Sequence, residues 1–157
     1  DAILSRGLGD VYKRQEPIVI AGDQIISSIS PNLGVYATEP DADPVQEWLT
    51  SCEAFLPFSN DKQLVLPGHK LPFYGLPHRL KQLIENHHSA LKRLVAFLKE
   101  PQTAVDCFPV LFNRKISDNE YGLALVEAVA HLNHLYRKKI VKRELNSKGA
   151  YVYTLKN

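Results

Sequence analysis

With 157 residues, 45% of them hydrophobic and 23% charged, the chain has the make-up of one ordinary folded domain or two small ones, which excludes a mainly disordered polypeptide. No run approaches the roughly 20 apolar residues of a membrane-spanning helix, so no membrane association is expected. The formal charge of +2 singles out no partner as a sum, and only its distribution, taken up below, carries information.

Residues 1–15 fit nothing downstream. The string Asp10-Val11-Tyr12-Lys13-Arg14-Gln15 resembles a translated sequencing adapter, and the segment lacks the apolar run and small-residue ending of a secretory signal. It is read as a non-native scar, with the native gene expected to continue upstream. The absence of methionine anywhere in the chain agrees with that expectation.

Pro17-Ile18-Val19-Ile20-Ala21 is a short, β-branched apolar run closed by Gly22-Asp23, the pattern of a buried strand ending in a turn. After a loop, Asp43, Pro44 and Gln46 supply an N-cap, a first-turn proline and a third-position glutamine, so a helix is predicted to start there. Val45, Trp48, Leu49, Cys52, Phe55 and Leu56 then trace one helical face, which makes Trp48 a core residue. Gln63-Leu64-Val65-Leu66, closed by Pro67-Gly68-His69, predicts a second buried strand. Two strands joined through a helix run parallel, with a right-handed crossover. Asp23 and His69 would then both stand at carboxyl ends of strands, the edge where open α/β sheets place their chemistry. A carboxylate and an imidazole brought together there can share a hard or borderline metal ion. Residue types alone leave the plainer reading open: a turn aspartate and a packing or solvated histidine.

Leu80, Leu83, Ile84, His87, Leu91, Leu94, Val95 and Leu98 predict a long amphipathic helix that starts near Pro77 and ends by Glu100-Pro101. His87 falls on its apolar stripe with His88 beside it; either could face a site, or simply be hydrogen-bonded and partly buried. A helical stretch through Ala104, Phe108 and Leu111-Phe112 follows. A further helix carries Leu125, Ala128, Val129, Leu132, Leu135 and Tyr136, with Glu127, His131 and His134 on its polar face. Two strands around Asn146-Ser147-Lys148-Gly149 then read as a hairpin. From Arg137 to the end there are seven Lys or Arg against the single acid Glu144. Such a cluster serves an anionic surface such as nucleic acid, or is a solvated face. Cys52 and Cys107 lack a metal-type spacing and fit reduced thiols in an intracellular, cytoplasmic protein, acting as small buried hydrophobes.

The stretch Ile20-Ala21-Gly22-Asp23-Gln24-Ile25-Ile26 with Ile29-Ser30-Pro31-Asn32 is similar to the Gly-Asp motif region of metallo-β-lactamase-fold hydrolases. Leu66-Pro67-Gly68-His69 resembles their last histidine motif. The Asp-Pro helix start and Trp48 match the linking helix between these motifs, and Arg79 with His87-His88 fits the helix that follows. The resemblance implies an α+β chain: residues 16–100 as the C-terminal half of an αββα sandwich and residues 101–157 as a small winged-helix-like domain. The appended domain resembles that of one branch of these hydrolases, which includes lactamase-like endoribonucleases.

It also implies zinc, two ions in the full-length protein, with Asp23 as the aspartate that bridges two metals and His69 as a terminal ligand of one. The family's His-x-His-x-Asp-His motif and intermediate histidine are not in this sequence. Lys70 stands where the family often has glycine. The implied reaction is hydrolysis of an ester, thioester, amide or phosphodiester by metal-activated water. As written, the chain is expected to bind metal poorly and turn nothing over, because a metal centre needs at least three protein donors. A small-molecule ester or thioester, or RNA, is the expected substrate. Half a sandwich would also expose apolar sheet surface and favour an oligomer. The alternative is a nucleic-acid-binding winged-helix protein with a vestigial hydrolase domain.

Overall fold

A computed structural model describes residues 18–156; the adapter-like segment at residues 1–15 lies outside them. Strand β1 (Ile18–Gly22) leads through a loop to helix α1 (Pro44–Phe55) and strand β2 (Leu64–Pro67). A long helix, α2 (Leu76–Phe97), and a short one, α3 (Phe108–Phe112), follow. Helix α4 (Tyr121–Arg137) and the hairpin β3 (Val141–Leu145) and β4 (Tyr151–Leu155) end the chain. Each predicted element is present. The backbone falls into two compact units, residues 18–31 with Glu47–Asn86 and Asn32–Gln46 with residues 87–156.

In the first unit β1 and β2 pair in parallel, with Ile18 opposite Leu64 and Ile20 opposite Leu66. Val19, Ala21 and Val65 are buried, but Ile18 and Ile20 remain 40% and 46% exposed. The apolar run therefore does not mean burial on both faces. Side chains alternate across a strand, and among the described residues only one face of this sheet is covered. Asp43 caps α1 as predicted, its Oδ1 accepting from the Gln46 N–H at 3.0 Å. That helix buries Val45, Trp48, Leu49, Cys52 and Phe55, the face its spacing specifies.

In the second unit, α2 buries His87, Leu91 and Leu94, and α4 buries Ala128, Leu132 and Leu135. Arg93 donates to the carbonyls of Val110 and Leu111 at 2.9 and 3.1 Å, satisfying the end of α3 that its own turns leave unpaired. Helix α4 stops in a Schellman turn: the Ile140 N–H reaches the Leu135 carbonyl and the Lys139 N–H the Tyr136 carbonyl. Lys139 takes the left-handed conformation there, at φ 60°. The hairpin is in register from Val141–Leu155 to Leu145–Tyr151, and Gln102 pairs with Tyr153 along the outer edge of β4.

One reading of the sequence is corrected. His131 and His134, placed on the polar face of α4, are 1% and 6% exposed. Helical periodicity separates polar from apolar side chains but does not say whether the polar stripe meets water or a buried polar cluster.

Candidate metal centre

Both strands of the parallel pair end where chemistry was expected. A register irregularity between Ile20 and Gly22 and a left-handed Gly22, at φ 51°, turn the chain at the end of β1. The Gly68 N–H continues the ladder onto the Gly22 carbonyl at 2.7 Å. These turns bring Asp23 and His69 together, His69 Nδ1 lying 2.7 Å from Asp23 Oδ1. A carboxylate oxygen accepts, so Nδ1 carries the proton and a neutral imidazole keeps its lone pair on Nε2. The His69 and Asp23 side chains are 68% and 59% exposed. Gly68 makes room for the pair, because a Cβ there would stand 2.5 Å from Asp23 Oδ1.

The loop after Asp23 is fixed from two helices. Trp48 Nε1 donates to the Gln24 carbonyl at 3.0 Å. Arg79 donates from Nε to the Ile26 carbonyl at 2.7 Å and from Nη2 to the Ile29 carbonyl at 2.8 Å. Sequence reading gave Trp48 a core role and a match to the linking helix, and Arg79 a match to the helix that follows, but assigned neither a contact with this loop. An arginine in the first turn of a helix that follows a Gly-Asp loop is too common a pattern to signal a clamp. Lys70, directly after His69, has φ 72°, a conformation that glycine adopts without strain and most residues avoid.

Asp23 and His69 are suitable donors for zinc or a similar ion, but they are only two. Among the described residues no group of three His, Cys, Asp or Glu side chains converges. Burial pushes both the Cys52 and the Cys107 thiol up to about 12, so each is protonated at neutral pH. The Asp23–His69 pair fits a metal in type and not in number.

Three other histidines, His87, His131 and His134, lie buried in the second unit. His134 Nδ1 lies 3.1 and 3.2 Å from the two oxygens of Asp43. His131 Nδ1 donates to the Glu127 carbonyl at 2.9 Å. His131 Nε2 is therefore the acceptor toward His87 Nδ1, at 3.2 Å, and the two rings stack. Burial holds His87 down to about 3 and His131 to about 4, so both are neutral at physiological pH. Burial also pushes the half-buried Glu127 up to about 7, against the opposing hydrogen bond from Asn32. His87 is thus a buried structural histidine, the plainer of the two readings its sequence position allowed.

Residues 91–156 match the family model described as metallo-beta-lactamase-like, C-terminal domain. A beta-lactamase domain protein from Burkholderia ambifaria superposes with a TM-score of 0.84 at 32% identity, over 88% of this chain and 41% of that one. A metallo-beta-lactamase family protein from Thermus thermophilus gives 0.75 at 27% identity, over 90% and 42%. The chain thus spans about two fifths of the length of these structures. No curated protein matches the sequence. Residues 91–156 thus resemble a metallo-beta-lactamase-like C-terminal domain, and the mixed α/β fold is similar to those of the Burkholderia and Thermus proteins.

Proposed function

We propose that the chain forms part of a metal-dependent hydrolase in which Asp23 and His69 are two of the ligands, zinc is the metal and the complete centre holds two ions. The observation that carries this reading is the Asp23–His69 pair itself, at 2.7 Å on the carboxyl ends of two parallel strands. A metal held there would lower the pKa of water toward neutrality and polarise the bond under attack. This chain's own part is positional. Arg79 and Trp48 fix the Asp23 loop, Gly68 leaves space for the carboxylate, and the Asp23 contact directs the His69 Nε2 lone pair outward.

The substrate class is an ester, thioester, amide or phosphodiester, and the setting is cytoplasmic. With two donors the chain by itself is inactive. The test compares this chain with a fusion to the N-terminal part of the Burkholderia protein, using metal analysis and a panel of ester, thioester and RNA substrates. The reading expects stoichiometric metal and turnover only in the fusion, both lost on Asp23→Ala. A well-folded fusion, checked by circular dichroism, that binds no metal would count against it.

A second reading, nucleic-acid binding through a winged-helix-like domain at residues 101–157 with a vestigial hydrolase part, has one feature in its favour. Arg137, Lys138, Lys139 and Lys142 are all exposed beside the hairpin. It expects RNA affinity that falls steeply with salt, and salt-insensitive binding would oppose it.

A further inference from the structure

The second unit contains a cleft of about 460 Å³, within the range of roughly 300–1,000 Å³ that small-molecule sites occupy. Its walls are mostly apolar, built from Val35, Ala104, Val105, Leu125 and Val129. Arg143, on β3, supplies its positive charge. The guanidinium lies over the Tyr136 ring at 4.6 Å and over the Tyr151 ring at 4.4 Å. Across the hairpin it stands opposite Tyr153, which is buried and hydrogen-bonded to it. A stacked guanidinium keeps its N–H groups in one plane, ready for a planar acceptor.

Its carboxylate partner is held very differently. Arg143 Nη2 lies 3.2 Å from Asp41 Oδ1, but the Asp41 side chain is 73% exposed while that of Arg143 is 16% exposed. The backbone around Asp41 is fixed: Asn133 Nδ2 donates to the Pro40 carbonyl at 2.8 Å, and Arg137 to the Asp41 carbonyl at 3.0 Å. Only the carboxylate is free to leave. A solvent-facing ion pair of this kind contributes little, so an incoming carboxylate would displace it at small cost. That carboxylate would gain more than Asp41 does if it brought an apolar body to fill the cleft behind it.

We propose that this cleft binds a small organic carboxylate with an apolar body, Arg143 exchanging the Asp41 carboxylate for that of the ligand. The site lies wholly within the second unit and does not depend on the Asp23–His69 reading. The test titrates the whole chain with 4-phenylbutyrate and with 4-phenylbutanol, a neutral analogue of similar shape, by calorimetry and ligand-observed NMR. Saturable binding of the carboxylate is expected, roughly ten-fold or more tighter than the alcohol, the scale of one charge-assisted hydrogen bond.

Asp41→Asn should tighten carboxylate binding several-fold by removing the competitor. That gain keeps the proposal testable if Arg143→Gln fails to fold. In a folded R143Q the preference for the carboxylate disappears, and Ala37→Trp at the rim of the cleft blocks both probes. Equal affinity for the two probes, no saturable binding of either, or weaker carboxylate binding in D41N overturns the proposal.

Discussion

Among the described residues, two aspartate–histidine contacts differ mainly in their surroundings. Asp23 and His69 meet at 2.7 Å with side chains 59% and 68% exposed. Asp43 and His134 meet at 3.1 Å with side chains 10% and 7% exposed. The exposed pair ends two parallel strands and leaves Nε2 and one carboxylate oxygen turned outward. The buried pair has its acceptors occupied: Asp43 also caps α1. A donor pair with free, solvent-facing lone pairs can take a ligand; one closed in by its own chain holds structure. Residue type and spacing do not distinguish the two cases.

Substitution should separate them most strongly in stability. His134→Ala leaves the Asp43 carboxylate buried with the Gln46 N–H and is expected to cost about 3–5 kcal/mol. Asp23→Ala should cost no more than about 1 kcal/mol, as for an exposed ion pair. Urea denaturation of both variants checks the contrast.

Acid should act on the buried cluster next. His87 and His131 resist protonation when folded, with values of about 3 and about 4 against 6.5 when unfolded. Between those limits the unfolded chain binds more protons. Stability present above pH 6.5 is therefore lost as pH falls through 4 and toward 3, by an amount on the order of a few kcal/mol. Glu127 acts in the opposite sense. Its folded value of about 7 lies above the ordinary 4.5, so its contribution is present below 4.5 and is lost as pH rises through 7. Urea midpoints against pH should thus fall on the acid side, and Glu127→Gln should be the more stable protein at pH 8.

The exposed face of β1 offers a smaller effect. Replacing Ile18 and Ile20 with threonine keeps β-branching while removing apolar surface. Sedimentation should show less self-association than in the parent chain, whereas the same substitution at buried Val19 should lower the melting temperature instead. The smallest change concerns the two left-handed lysines. Lys139→Gly in the Schellman turn should stabilise by about 0.5–1 kcal/mol, read from the urea midpoint. Lys70→Gly should do the same beside His69 without weakening metal binding.

Much of this was legible in the sequence. Gly22-Asp23, Pro67-Gly68-His69 and the Asp43 cap each lie where a local rule operates: a run, a turn or a first helical residue. The structure adds what depends on three dimensions. Nothing in the spacing of Arg79 says that it reaches the carbonyls of Ile26 and Ile29, some 50 residues away. Nor does the periodicity of α4 reveal that its polar stripe packs inward, since a helix face is defined by composition and its environment by tertiary contacts. The exposed Ile18 and Ile20 make the same point for a strand, whose second face depends on what else covers it.

Asp23 and His69, and not Asp43 and His134, are the proposed metal-ligand pair. The most direct measurement is a zinc titration followed by NMR of the histidine ring nitrogens and Cε1–H signals. Zinc is expected to bind weakly, shifting the His69 ring alone, with the shift lost in Asp23→Ala and kept in His87→Gln. Zinc-dependent shifts centred on His134 or His131, or binding unchanged by Asp23→Ala, would contradict this assignment.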